Sequence, residues 1–190
     1  MPTFLATLSY GLALACVFPG FRADSRRGVL LALPILVCLH LPVSGITLLS
    51  VLRGALGDLS LATLVFLASL LHGREENRMT SRSRRFQQVS IFLGSLFFLF
   101  SFGYSPVDVY AWGYQAAALP LLAGGLALFA WFFGWRTLTV ALLLGMAGWR
   151  LHWLDSPNLW DYLLDAPLLV SCLVHGLVKR IGAFHRIINR

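Results

Sequence analysis

Long apolar runs separated by short polar connections dominate the chain, and that alternation predicts helices that cross a membrane. The runs cover residues 3–18, 29–52, 59–71, 89–104, 116–133, 137–153 and from 157 to just before Lys179. A hydrocarbon core of ~30 Å takes about 20 helical residues. The pattern therefore predicts an all-α fold, a polytopic transmembrane helical bundle of about seven spans, with six as the other count. Run 59–71 is short for that thickness, so its outer end is expected to continue as an interfacial helix reaching back towards Thr47. Pro34 and Pro42 lie in the second run, where neighbouring helices can re-satisfy freed backbone groups, and predict kinks rather than breaks. Ala123 with Ala127 and Ala141 with Gly145 are small pairs at four-residue spacing, which predicts close packing of the fifth and sixth spans about a turn at Gly134-Trp135-Arg136. Ser156 followed by Pro157 predicts the start of the seventh span.

Charge orients this bundle. In the seven-span reading, 13 of the 15 Lys and Arg share one side: Arg22, Arg26, Arg27, Arg74, Arg78, Arg82, Arg84, Arg85, Arg136, Lys179, Arg180, Arg186 and Arg190. Only Arg53 and Arg150 take the other. Cytoplasmic connections retain positive residues during insertion, so the expected topology has the N-terminus outside and the C-terminus in the cytoplasm. The expected location is a bacterial cytoplasmic (inner) membrane. Residues 74–88 form an arginine-dense connection that sets this topology, with docking of an acidic partner or anionic lipid as its second reading.

Composition changes the picture only by exclusion. Hydrophobic residues make up 58% of the chain and charged residues 12%, against roughly a quarter charged in soluble domains. No polar run is long enough for a separate soluble domain, so residues 1–190 are expected to form a single integral membrane domain. The net charge of +7 is explained by cytoplasmic connections and does not imply nucleic-acid binding. Expected partners are membrane lipids and other membrane protein chains. Cys16, Cys38 and Cys172 fall inside the runs and read as buried thiols.

Candidate chemistry gathers on the outer side, which holds five of the eight acidic residues: Asp58, Asp108, Asp155, Asp161 and Asp165. Tyr104, Tyr110, Trp112, Tyr114, Trp149, Trp153, Trp160 and Tyr162 crowd the same level. An aromatic belt accounts for the rings but not for the carboxylates. The candidate functional cluster is Arg53, Asp58, Arg150, His152, Asp155, Asp161 and Asp165. If the sixth span continues to Asp155, His152 and Asp155 share a helical face and can pair as an oriented base. Asp161 and Asp165 are four apart on the seventh span, with Asp165 a turn deeper and expected to pair with Arg53 or Arg150, to donate while protonated, or to meet a partner chain. The bland alternatives are dipole complementation by Asp161 and snorkelling by Arg150.

Three functions fit these residues. The first is a non-enzymatic integral subunit or partner of a larger membrane assembly. The second is a lipid-directed enzyme at the outer interface, with Arg53 and Arg150 holding a phosphate and His152 with Asp155, or Asp165, moving protons. The third is a proton-coupled transporter or a b-type haem protein, for which His40 and His152 would serve an outer haem and His72 and His175 an inner one. No phosphate loop, His-Glu-x-x-His pair or Gly-x-Ser-x-Gly elbow is present, so no catalytic residue, metal or cofactor is assigned. The string Arg53-Gly54-Ala55-Leu56-Gly57-Asp58-Leu59-Ser60 resembles the membrane portion of phosphoethanolamine-transferase-like enzymes over those eight residues, without their soluble catalytic domain, and no function follows from it.

Overall fold

Small side chains decide where the helices of this chain meet. The structure, a computed structural model, describes residues 2–17, 34–35, 37–43, 45–75, 81–101, 106, 108–114, 117–174 and 177. Arg22, Arg26, Arg27, Arg78, Tyr104, His175, Lys179, Arg180, Arg186 and Arg190 lie outside the described residues, as do the side chains of His72, Arg74, Arg82, Arg84 and Arg85. The chain is mostly helical: α1 (Pro2–Val17), α2 (Leu48–Leu56), α3 (Leu61–Glu75), α4 (Ser81–Leu99), a 3-10 turn (Tyr110–Tyr114), α5 (Ala118–Phe132), α6 (Arg136–Arg150), α7 (Trp160–Leu163) and α8 (166–174).

Helices α5 and α6 form a hairpin that buries Ala123, Ala127 and Ala130 against Leu138, Ala141 and Leu142. Their turn needs glycine. Gly134 adopts φ +69°, its N–H reaches Trp131 O at 2.9 Å, and the Trp135 N–H reaches Ala130 O at 2.7 Å. These two bonds satisfy the last carbonyls of α5 in the usual left-handed terminus. Helix α6 is the hub, packing also on α3, α4 and α7. It can do so because Gly145 and Gly148 present bare backbone. A Cβ on Gly148 would lie 2.2 Å from Leu61 Cδ1, and one on Gly145 2.5 Å from Leu163 Cδ2. Helix α1 closes a second, smaller core with Ala6, Tyr10, Leu39, Leu49 and Leu59.

Several sequence expectations are corrected here. Residues 29–52 are not one kinked span: 37–40 are helical, Pro42–Val43 (β1) pairs antiparallel with Ile46–Thr47 (β2), and α2 starts afresh at Leu48. Pro42 breaks the helix because it lacks an N–H and fixes φ, while Gly45 turns the chain at φ +83°. Thr47 then caps α2, its Oγ1 accepting the Ser50 N–H at 3.2 Å. The seventh run is not continuous either. Residues 157–159 are non-helical, α7 has four residues, and the chain is extended at Leu164 and still non-helical at Asp165 before α8. Cys38 is exposed rather than buried, whereas Cys172 is buried.

Among the described residues no single helix is long and apolar enough to cross a membrane; only α2 and the first part of α3 pass together, as a pair bent by 112°. The 15 residues of α5 rise ~22 Å at 1.5 Å each. The surface is nonetheless strongly apolar. Leu121, Leu122, Leu128, Trp131 and Phe132 project from α5, with Phe132 84% exposed, and Phe4, Phe92, Val140, Leu143, Val170 and Val174 are exposed on other helices. Ser9, Ser60, Thr63, Ser90, Thr139 and Asn158 are buried instead.

Candidate functional site

The acidic residues singled out in the sequence meet where the α2–α3 corner, the 3-10 turn, loop 151–159, α7 and the start of α8 converge. Helix α2 ends at Gly57, whose N–H bonds Arg53 O at 2.9 Å with φ +75°. That tight exit brings Asp58 back onto Arg53. The guanidinium forks onto the carboxylate, Nε to Oδ1 at 2.6 Å and Nη2 to Oδ2 at 2.7 Å, and Nη2 also reaches Asp155 Oδ2 at 3.4 Å. Hydrogen bonding to Asp58 raises the Arg53 pKa further above its ordinary value. A fork filled by a carboxylate is not open to a phosphate. Arg150, exposed at the end of α6, shares no ion pair with it, so the expected phosphate clamp is not assembled.

Asp165 binds neither arginine. Its Oδ1 accepts the Leu168 N–H at 2.6 Å, which makes it the N-cap of α8, and its Oδ2 accepts the Ser60 N–H at 2.5 Å. The Thr63 hydroxyl donates to both oxygens, at 2.7 and 2.8 Å. Ser60 in turn caps α3, its Oγ accepting the Thr63 N–H at 3.1 Å. One carboxylate thus sits between the N-termini of two helices, where partial positive charge and orphan N–H groups favour an anion. Of the three expected roles of Asp165, pairing with Arg53 or Arg150 is replaced by backbone and hydroxyl donors.

Asp161 is separated from Asp165 by the break after Leu163, so the two do not share a continuous helical face. Asp161 accepts from the Tyr110 hydroxyl at 3.3 and 3.2 Å and from Ser156 Oγ. The Tyr110 pKa is raised, first by burial, then by Tyr114 and by the Asp161 charge. Asp108 caps the 3-10 turn, its Oδ1 accepting the Ala111 N–H at 3.1 Å.

His152 and Asp155 do not form the expected pair. Helix α6 stops at Arg150, the His152 N–H returns to Trp149 O at 3.2 Å and the Trp153 N–H to Gly148 O at 2.9 Å. His152 occupies the left-handed position of that terminus at φ +52°, where glycine is the usual residue. It is exposed there, and Asp155 turns to Arg53 instead. Of the haem alternative's histidines, His40 Nε2 lies 3.0 Å from Thr7 Oγ1 and His152 faces outward. Among the described residues no three His, Cys, Asp or Glu gather as a metal site.

Two residues outside the sequence's candidate cluster organise the loop. Asn158 is fully buried; its Nδ2 donates to Tyr110 O at 3.1 Å and its Oδ1 accepts the Trp160 N–H at 2.9 Å. Gly113 gives it room, since a Cβ there would fall 1.7 Å from Asn158 Oδ1. Tyr162, also fully buried, accepts the Leu154 N–H at 3.1 Å and offers its proton to Leu154 O and Ser156 O, each at 3.0 Å. The signal available for Asn158 was its type, an amide next to Pro157 able to make an Asx turn. Nothing local distinguishes Tyr162 from a belt aromatic.

These elements surround an open cavity of about 590 Å³ lined by apolar Leu56, Phe97, Phe98 and Leu164 and by polar Asp58, Asp155, Ser156, Asp161 and Asp165. Phe97 is buried here and its ring centroid lies 4.7 Å from that of Trp160. Comparison with known proteins finds no matching family model, no matching curated protein and no matching solved structure.

Proposed function

We propose that the chain is a non-enzymatic integral subunit or partner of a larger assembly in a bacterial cytoplasmic membrane, with its N-terminus and the acidic cluster outside and its C-terminus in the cytoplasm. The observation that carries the reading is the apolar surface: Phe92 on α4, Leu121, Leu122, Leu128, Trp131 and Phe132 on α5, Val140 and Leu143 on α6 and Val170 and Val174 on α8 are exposed, while alanines and glycines fill the contacts between α5, α6 and their neighbours. Water-facing proteins rarely expose contiguous apolar patches beyond a few hundred Å², whereas lipid favours such a surface, with small residues at the helix contacts. The 13-to-2 sorting of positive residues supports the orientation.

Geometry favours a structural role for the cluster over a catalytic one. Arg53 is held by Asp58, Asp165 by two helix N-termini, and His152 by a helix terminus, so the groups that would clamp phosphate and move protons do not converge on one point. The cavity beside Asp155, Ser156 and Asp161 keeps a lipid-directed enzyme as the second reading. Purification of the native chain in mild detergent separates the two. A defined complex with other membrane chains is expected; a monodisperse single chain that turns over lipid would overturn the subunit reading.

A further inference from the structure

Helix α2 divides its circumference into three sectors. Leu49, 4% exposed, and Leu52 pack on α1 with Ala6, Tyr10 and Leu59. Leu48, Val51 and Ala55, at i, i+3 and i+7, are exposed and apolar. Ser50 and Gly54 are exposed on the remaining side, with Arg53 at its edge. A helix against the bundle with one free flank apolar and the adjoining one polar suits a boundary between oil and water.

Its direction agrees. At 112° to α3, α2 runs close to perpendicular to the helix it precedes, hence near the membrane plane if α3 crosses. Nine residues extend only ~14 Å, too short to span. Its ends are tied down: Thr47 caps the start, and Tyr10 Oη donates to Leu52 O at 3.1 Å and Gly57 O at 2.6 Å at the finish. The Arg53–Asp58 pair is 27% and 19% exposed, and carrying it with Asp155 to the bilayer centre, as a re-entrant loop would, is costly.

We infer that α2 is an in-plane lipid-contact helix seated at the outer headgroup–acyl boundary, with Leu48, Val51 and Ala55 on the acyl chains and Ser50 and Gly54 towards water. Ile46 in β2, 56% exposed, extends the same contact. Leu56 and Gly57 also line the cavity, so the seat of α2 places that wall of the cavity at headgroup level. The inference rests on the membrane reading above and adds a surface and its occupant.

The test uses the unmodified chain in phosphatidylcholine/phosphatidylglycerol vesicles carrying diazirine phospholipids, one set with the photoreactive group near the glycerol and one with it at the acyl terminus, mapped by peptide mass spectrometry. The shallow probe is expected to label Leu48 and Val51 several-fold more than the deep probe does, while the deep probe favours Leu122 and Leu128 on α5. Preferential labelling of α2 by the deep probe would make it re-entrant and overturn the inference. Absence of label on α2 with α5 labelled would mean that water or a protein partner covers the stripe, and overturns it equally. Failure of both probes on α5 would remove the membrane reading itself, and the inference with it.

Discussion

Replacing Asp165 by alanine is expected to destabilise the protein by about 3 kcal/mol or more and to lower its cellular abundance several-fold. The substitution strands the Ser60 and Leu168 N–H groups and the Thr63 hydroxyl, and each buried donor left unsatisfied costs roughly 1–3 kcal/mol. It also unties the start of α3 from the start of α8. Asp165→Asn should fall near alanine, because an amide keeps one acceptor and turns its other end, a donor, towards donors. Asp161→Ala is the control: its partners are the Tyr110 and Ser156 hydroxyls at the cavity, which water can satisfy, so about 1 kcal/mol or less is expected. Unfolding in mixed detergent micelles measures both. Equal losses would remove the clasp from the account.

Gly148→Leu is expected to cost a further large amount, about 3 kcal/mol, by overpacking. The new Cβ would start 2.2 Å from Leu61 Cδ1 and 3.3 Å from the Trp153 ring, and α6 cannot retreat because α5 and α4 hold its other sides. Gly124→Leu on α5 supplies the contrast. A Cβ there meets nothing within 4 Å, and leucine favours the helix over glycine by nearly 1 kcal/mol, so stability is expected to hold or rise. The same unfolding measurement checks the pair; comparable losses at both positions would mean that α6 is not the packing hub.

What the sequence made legible was local. The α5–α6 hairpin was readable because glycine at a left-handed terminus and small residues at four-residue spacing are short-range signals. A helix reaching back to Thr47 was approached from length instead, because run 59–71 is short for the hydrocarbon core. Errors arose where apolarity continued across a break. Val29 to Leu52 is uncharged, so hydropathy could not register that Pro42, Gly45 and Thr47 together turn the chain and begin a new helix. Asp165 drew attention by its depth, but a continuous span made Asp161 its neighbour and an arginine one of its three expected partners or roles. Asp165-Ala166-Pro167 is itself a helix start, a carboxylate cap followed by proline in the first turn, and its second set of donors comes from Ser60 and Thr63, more than 100 residues away in sequence. His152 misled in another way. A helix that ends on a non-glycine left-handed residue gives no sequence warning, so a pairing across three positions looked available.

Cysteine accessibility in intact cells tests the central claim most directly, that the chain lies in the membrane with its acidic cluster outside. A cysteine in place of exposed His152 is expected to react with a membrane-impermeant maleimide above the level of the parent chain. One in place of Ser83, in the arginine-dense connection, is expected to react only after lysis. The reverse pattern would contradict the orientation, and equal labelling of both in a protein released to the soluble fraction would contradict the membrane reading altogether.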